Sequence, residues 1–171
     1  MPNPATPWTN QPLRIYHGTL VDHAMYIMEG GADVGRGRER TDFGKGFYAT
    51  ADARQAADWA IQLAARKNGT AVVVYTELDR EDLAKLDSLV FIRGHADAYD
   101  YWSFVQHCRT GAGTHGRPRP GKPLYDVVIG PVSRNYARRT TYEDMDQISF
   151  HTAEAQEVLN RVPWEGYDPT R

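Results

Sequence analysis

Three groups of residues in this chain are of types that do chemistry on a sugar. His17 stands directly before Gly18 and Thr19, after the short apolar run 13–16. Gly44-Lys45-Gly46-Phe47-Tyr48 is a glycine turn that delivers an aromatic ring, and Asp146-Gln147 opens a late apolar run at 147–150. An imidazole can hydrogen-bond a ribose hydroxyl and a tyrosine ring can stack on a flat heterocycle. A carboxylate can face positive charge on the sugar, whereas a glutamine orients without supplying charge. Breaking the bond between ribose and nicotinamide passes through an oxocarbenium-like cation. Such a site must orient the ribose, stack the leaving ring and place electron-rich groups near the cation. Each of the three groups matches one of those tasks. A single His or Tyr in their place would read as structural, so the combination carries the signal.

The elements that must position these groups follow from local pattern. Residues 13–16 predict a short strand ending at His17, with Thr19 capping a helix over 20–29 that Gly30-Gly31 stops. The polar run 32–42 reads as a surface loop, and 47–50 as a strand. Residues 52–67 are Ala-rich, full of helix formers, and end at Asn68-Gly69, which predicts a helix. Val72-Val73-Val74-Tyr75 places a buried strand in 70–78, with a shorter candidate at 86–92. Tyr99, Trp102, Phe104 and Val105 give 97–108 a helical mix. Residues 109–122, with Gly, Arg and Pro and no periodicity, predict an exposed loop. Residues 125–129 read as a strand closed by Gly130-Pro131, 147–150 as a last strand, and Thr152 as the cap of a helix over 153–162. Strands and helices are interspersed without a βαβ rhythm, which predicts a mixed α+β sheet.

Other apparent motifs fail on context. Gly44-Lys45-Gly46-Phe47-Tyr48-Ala49 fits a loose G-x-G-x-x-A dinucleotide pattern, but it follows a polar loop and opens a strand rather than a helix. The stretch from Gly116 to Lys122 has P-loop spacing, yet Pro123 replaces the Ser or Thr, and prolines remove amides that would cradle phosphate. His107 and Cys108 are helix neighbours that point in different directions. The six His and one Cys show no metal-ligand spacing, so no metal is expected.

With 171 residues, the chain suits one globular domain. Residues 1–12 are expected as a flexible lead-in without the basic and apolar regions of a signal peptide, 13–162 as the domain and 163–171 as a tail. Basic and acidic residues nearly balance, for a formal charge of -2, so no global field draws the protein to nucleic acid. The lone Cys108 and the absence of a long apolar run point to a soluble, cytoplasmic protein without membrane contact.

Taken together, Tyr16-His17-Gly18-Thr19, Asp42-Phe43-Gly44-Lys45-Gly46-Phe47-Tyr48, Gln55-Ala56-Ala57-Asp58-Trp59-Ala60, the stretch from Tyr125 to Val132, and the stretch from Asp146 to Thr152 resemble a bacterial ADP-ribosyltransferase-like family with a His-Tyr-Asp signature. The first two motifs also resemble those of poly(ADP-ribose) polymerases, and the 31 residues from His17 to Tyr48 are a compatible separation. The resemblance implies an ADP-ribosyltransferase-like fold of mixed, mostly antiparallel split β-sheets flanked by helices, with NAD as co-substrate. By position it implies that His17 hydrogen-bonds the adenosine-side ribose, that the Gly18 backbone fixes the carboxamide and that Tyr48 stacks on nicotinamide. Trp59 would close the sandwich. Thr19, Gly46 and Thr50 join the expected binding set. At the third position Gln147 aligns with the polymerase glutamate, while the His-Tyr-Asp signature points to Asp146; neighbours on a strand face opposite sides.

The expected activity is transfer of single ADP-ribose units from NAD to an unknown protein or nucleic-acid acceptor. The setting implied is a bacterial toxin of a toxin-antitoxin or conflict system, with a cognate antitoxin or immunity protein as partner. NAD glycohydrolysis and a non-catalytic NAD-binding or partner-binding module are the alternatives. RNA 2'-phosphotransfer ranks lower, because no clear set of basic residues for a phosphate is present.

Overall fold

A computed structural model of the chain describes residues 10–92, 99–111, 114–116 and 120–171. The fold is α+β, built on two sheets. The first joins β1 (Leu13–Leu20), β3 (Ala71–Leu78) and β7 (Glu165–Tyr167) in the order β1-β3-β7, all antiparallel. The second runs β2 (Phe47–Ala49), β6 (Thr140–Phe150), β5 (Val127–Asn135), β4 (Ser88–Val90); only β4 and β5 are parallel. Among the described residues one two-way backbone bridge links the sheets. Tyr16 N–H donates to the Thr50 carbonyl at 2.8 Å and Thr50 N–H to the Tyr16 carbonyl at 2.9 Å. This bridge sets His17 beside the end of β2.

Alternation along the strands creates three packed layers. Between the sheets, Ile15, Val74 and Leu78 meet Phe47, Ala49, Ile148 and Phe150, closed by Ala155 and Leu159 of α5 (Ala153–Leu159) and by Trp164. On the outer face of the first sheet, α2 (Ala53–Lys67) lays Ala56 and Ala60 on Ala71 and Val73. On the far face of the second sheet, Tyr101, Trp102 and Val105 of α4 (Tyr99–Thr110) cover Phe43 and Val128. Full burial of such aliphatic and aromatic side chains stabilises by about 1.5–3 kcal/mol each. Helix α2 can approach β1 closely only because residue 18 is glycine: a Cβ there would lie 2.1 Å from the Ala56 carbonyl oxygen. Asp52 caps α2 by accepting from the Arg54 and Gln55 amides, and Asn68 ends it in the left-handed conformation. Helices α1 (Val21–Gly30) and α3 (Arg80–Leu83) and a 3-10 turn at Val34–Arg36 complete the described elements. Among the described residues no helix is long and apolar enough to cross a membrane.

Several elements differ from local expectation. β1 does not stop at Tyr16: His17, Gly18 and Thr19 lie opposite Val74, Val73 and Val72, because β3 offers a full-length template. Thr19 is accordingly buried within the strand. Leu20 occupies the helix cap with no side-chain bond, so Thr19 is not the cap. β5 continues through Gly130-Pro131; the proline cannot donate to the ladder, and the register shifts between Pro131 and Ser133 instead. β6 begins at Thr140, seven residues before the expected start. The segment 163–171 contributes Trp164 to the core and β7 to the first sheet.

The loop expected to be exposed at 109–122 starts inside α4 and returns into the protein. Thr114 bridges Gly44, and His115 is buried. Residues 1–9 of the expected lead-in, 97 and 98 of the expected helix, and 112–113 and 117–119 of the loop lie outside the described residues.

Candidate functional site

His17 does meet Tyr48, but through the tyrosine's backbone. Its Nδ1 lies 2.6 Å from the Tyr48 carbonyl oxygen, and its ring packs at 4.7 Å from that of Phe47. A carbonyl can only accept, so Nδ1 carries the proton and Nε2 carries the lone pair. Burial pushes the His17 imidazole below its ordinary value, opposed by the bond to Tyr48, and the nearby His23 pushes in the same direction as burial. The neutral ring thus presents Nε2 as an acceptor. No described residue donates to it.

The Tyr48 ring leaves the opposite side of β2. Tyr48 pairs with Ser149, so the two side chains share a face, and Gln147 shares it two residues along β6. The Tyr48 hydroxyl donates to the Gly44 carbonyl at 2.7 Å, accepts from the Phe43 amide at 3.0 Å and shares a bond of 2.8 Å with Thr41 Oγ1. Burial raises its pKa well above the ordinary tyrosine value. The hydroxyl is therefore committed to closing the glycine turn, leaving the ring as the part available to stack. Gly44 takes a left-handed φ of 87° in that turn. Gly46 presses on β6: a Cβ there would lie 2.5 Å from the Phe150 carbonyl oxygen and 2.6 Å from His151 Nδ1.

Gln147 is buried, and its amide is oriented by its neighbours. Nε2 donates to Asp42 Oδ2 at 2.8 Å and to the Pro131 carbonyl at 3.1 Å. Both partners only accept, so the carbonyl Oε1 is the group left over. Asp42, 3% exposed, is the hub of this network. Its Oδ2 also accepts from the Ser133 amide at 2.8 Å, while Arg109 donates to Oδ1 through Nε at 2.7 Å and Nη2 at 2.6 Å. Asp146 is on the other face of β6, the one that carries Ile148 and Phe150 into the inter-sheet layer, but is itself exposed. Its backbone carbonyl accepts from Gln55 Nε2 of α2 at 2.8 Å.

Trp59 lies four residues after Gln55, on the same face of α2 and one turn beyond the contact with Asp146. Its indole is 51% exposed, with the Arg66 guanidinium 5.3 Å from the ring centroid. Thr50 is occupied structurally: its Oγ1 accepts from the Asp52 amide at 3.1 Å, and its backbone forms the bridge to Tyr16. Gly18 and Thr19 follow His17 within β1, Gly18 facing α2. The sequence-derived set is thus split between two places. His17 and Phe47 lie on the inter-sheet side; Tyr48 and Gln147 lie on the far side, both tied to residues 41–43.

Two further histidines escaped sequence reasoning. His151 Nδ1 donates to the Lys45 carbonyl at 2.8 Å, and its Nε2 sits 2.8 Å from Ser149 Oγ. His115 Nδ1 donates to the Phe43 carbonyl at 3.0 Å and Nε2 accepts from the Tyr125 amide at 2.9 Å. Burial drives both below the ordinary histidine value, His151 to about 4, and their rings meet edge-on at 4.6 Å. Together they clamp the glycine turn that carries Tyr48. The same holds for Asp42, whose position directly before the buried Phe43 was its only local signal.

Compared with known proteins, residues 13–142 match a family described as protein of unknown function (DUF3990). No curated protein matches the chain.

Proposed function

Starting from a chain that belongs to the DUF3990 family, described only as of unknown function, we propose a mono-ADP-ribosyltransferase with an ADP-ribosyltransferase-like split-sheet fold. The observation that carries this reading is the state of His17. Its Nδ1 proton is spent on the Tyr48 carbonyl, which leaves a neutral Nε2 acceptor at the position where the resemblance expects a ribose-binding histidine. Supporting it, the Tyr48 ring is pre-oriented by three bonds to its hydroxyl, and the two bonds of Gln147 Nε2 leave the side-chain carbonyl oxygen as its remaining polar group. Orientation fixed before binding is what a site for a developing cation requires.

In this reading His17 orients the adenosine-side ribose of the substrate NAD and Tyr48 stacks on the nicotinamide, the dinucleotide reaching both faces of β2, with Trp59 on the α2 side. The bond between C1′ and the nicotinamide nitrogen breaks, and its electron pair leaves with the ring as neutral nicotinamide. A lone pair of the acceptor forms the new bond at C1′, and the acceptor's proton passes to solvent. Gln147 Oε1 supplies an electron-rich dipole beside the cation, while the exposed Asp146 lies on the other face of β6, next to Gln55 of α2. A toxin of a toxin-antitoxin or conflict system, held by an antitoxin or immunity protein, is the biological setting proposed with it.

One observation favours a second reading. The amide of Gln147 stands where a carboxylate would supply charge, and a site without that charge suits an NAD-binding module that leaves NAD intact. The two separate in one experiment: NAD titrated into the protein by NMR and then followed for hours. Free nicotinamide supports transfer or hydrolysis, and labelling of an acceptor distinguishes the two. Shifts at His17 and Tyr48 with intact NAD support the module. No shift at all removes both.

A further inference from the structure

The hairpin joining β5 to β6 concentrates exposed arginines and half-exposed tyrosines, with the Arg134 guanidinium 6.0 Å from the Tyr142 ring centroid. Arg134, Arg138 and Arg139 are all exposed, and none has an ion-pair partner among the described residues. Tyr136 and Tyr142 beside them are 39% and 42% exposed. The turn itself is built rather than loose. The Asn135 side chain accepts from the Arg138 amide at 3.0 Å, and Arg139 takes a left-handed φ of 52°. The acidic residues Glu143 and Asp144 begin only farther down β6, so the tip is basic while the shaft is not.

The tip is also coupled to the site. The Arg109 guanidinium lies 5.4 Å from the Tyr136 ring centroid, and the same guanidinium pairs with Asp42, which holds the Gln147 amide. Tyr136 is therefore separated from Gln147 by only two side chains, Arg109 and Asp42.

We infer that this hairpin docks single-stranded nucleic acid and presents it to the Gln147 side of the site as the acceptor. Guanidiniums without acidic partners suit phosphates. Exposed tyrosine rings suit unstacked bases, which an acidic peptide would not use. The role of acceptor rests on the ADP-ribosyltransferase reading; the docking does not.

The test measures fluorescence anisotropy of labelled oligouridine and oligothymidylate strands with the whole protein, without NAD, over a salt series. Binding should weaken with salt, with a log–log slope of about 2 for three phosphates on a single strand. Arg134→Gln/Arg138→Gln/Arg139→Gln should flatten that slope and weaken binding at least tenfold with an unchanged thermal midpoint. Tyr136→Ala should weaken binding without changing the slope. Absence of binding by the unmodified protein at low salt, or equal binding by the triple variant, overturns the docking. With labelled NAD added, transfer of label to the strand supports the acceptor role, and label appearing only on protein overturns it. If no nicotinamide is released under any condition, the ADP-ribosyltransferase reading fails while the anisotropy result still decides the docking.

Discussion

Tyr48 serves two masters, and its hydroxyl and ring can be separated experimentally. The hydroxyl accepts from Phe43 and donates to Gly44, so Tyr48→Phe leaves the buried Phe43 amide without a partner, while the Gly44 carbonyl keeps its bond from Thr41 Oγ1 at 2.6 Å. A loss of about 1–3 kcal/mol is expected in urea unfolding, while the ring still stacks. An unchanged midpoint would contradict the assigned bonds. At Asp42, Asp42→Asn removes the charge facing Arg109 and puts an amide where one oxygen accepts from both Ser133 and Gln147. Because Arg109 is 30% exposed, the penalty should fall below that of a fully buried broken pair, at about 2 kcal/mol. The Gln147 side-chain amide resonances should move with it; if they stay, Asp42 does not orient that amide. His17 gives a pH prediction. Its Nε2 accepts only while the ring is neutral, so turnover should be flat near neutrality and fall at acid pH, at a point below 6.5 because burial lowers the group. A rate that rises on acidification would reject the acceptor role.

At the scale of elements, what local pattern could carry was legible and what depends on distant partners was not. Helix α2 announced itself through its Ala-rich run of helix formers and the Asn68-Gly69 stop; Asp52, read as part of the helix, is instead its cap. The glycine turn was legible for the same reason: Gly44 needs its left-handed φ locally. The extension of β1 past Tyr16 was hidden because it is dictated by β3, some 55 residues on. Asp42 was quoted within a motif yet without a role, since its partners Arg109, Ser133 and Gln147 lie 67, 91 and 105 residues away. Alternation placed Asp146 and Gln147 on opposite faces from sequence alone; which face carries Tyr48 required the pairing with Ser149. Packing of α2 on β1 yields its own prediction. Gly18→Ala would force a methyl against the Ala56 carbonyl, so α2 must shift, at an overpacking cost of about 1–3 kcal/mol. That shift would also move Trp59 and Gln55 away from Asp146. Unchanged stability and unchanged Trp59 fluorescence would argue against the close approach.

For the whole molecule, the two clamping histidines set an acid limit. His151 binds no proton in the folded state until about pH 4, whereas an unfolded histidine does so near its ordinary 6.5. Between those values the unfolded chain holds the extra proton, so stability is complete above about pH 6.5 and falls as pH drops toward 4. The shift corresponds to roughly 3 kcal/mol, with His115 acting in the same direction. Denaturation midpoints that agree at pH 7 and pH 4.5 would contradict this. Protonation keeps the Nδ1 donors to the Phe43 and Lys45 carbonyls but takes the His115 Nε2 lone pair from the Tyr125 amide, so acid should loosen the clamp on the turn carrying Tyr48 as part of the same transition.

All of these effects converge on whether the chain cleaves NAD, and free nicotinamide is the direct observable. Purified protein incubated with NAD at neutral pH should release nicotinamide, and folded His17→Ala protein should lose that release by at least a hundredfold. Intact NAD after hours with the unmodified protein, or equal release by His17→Ala, would contradict the account.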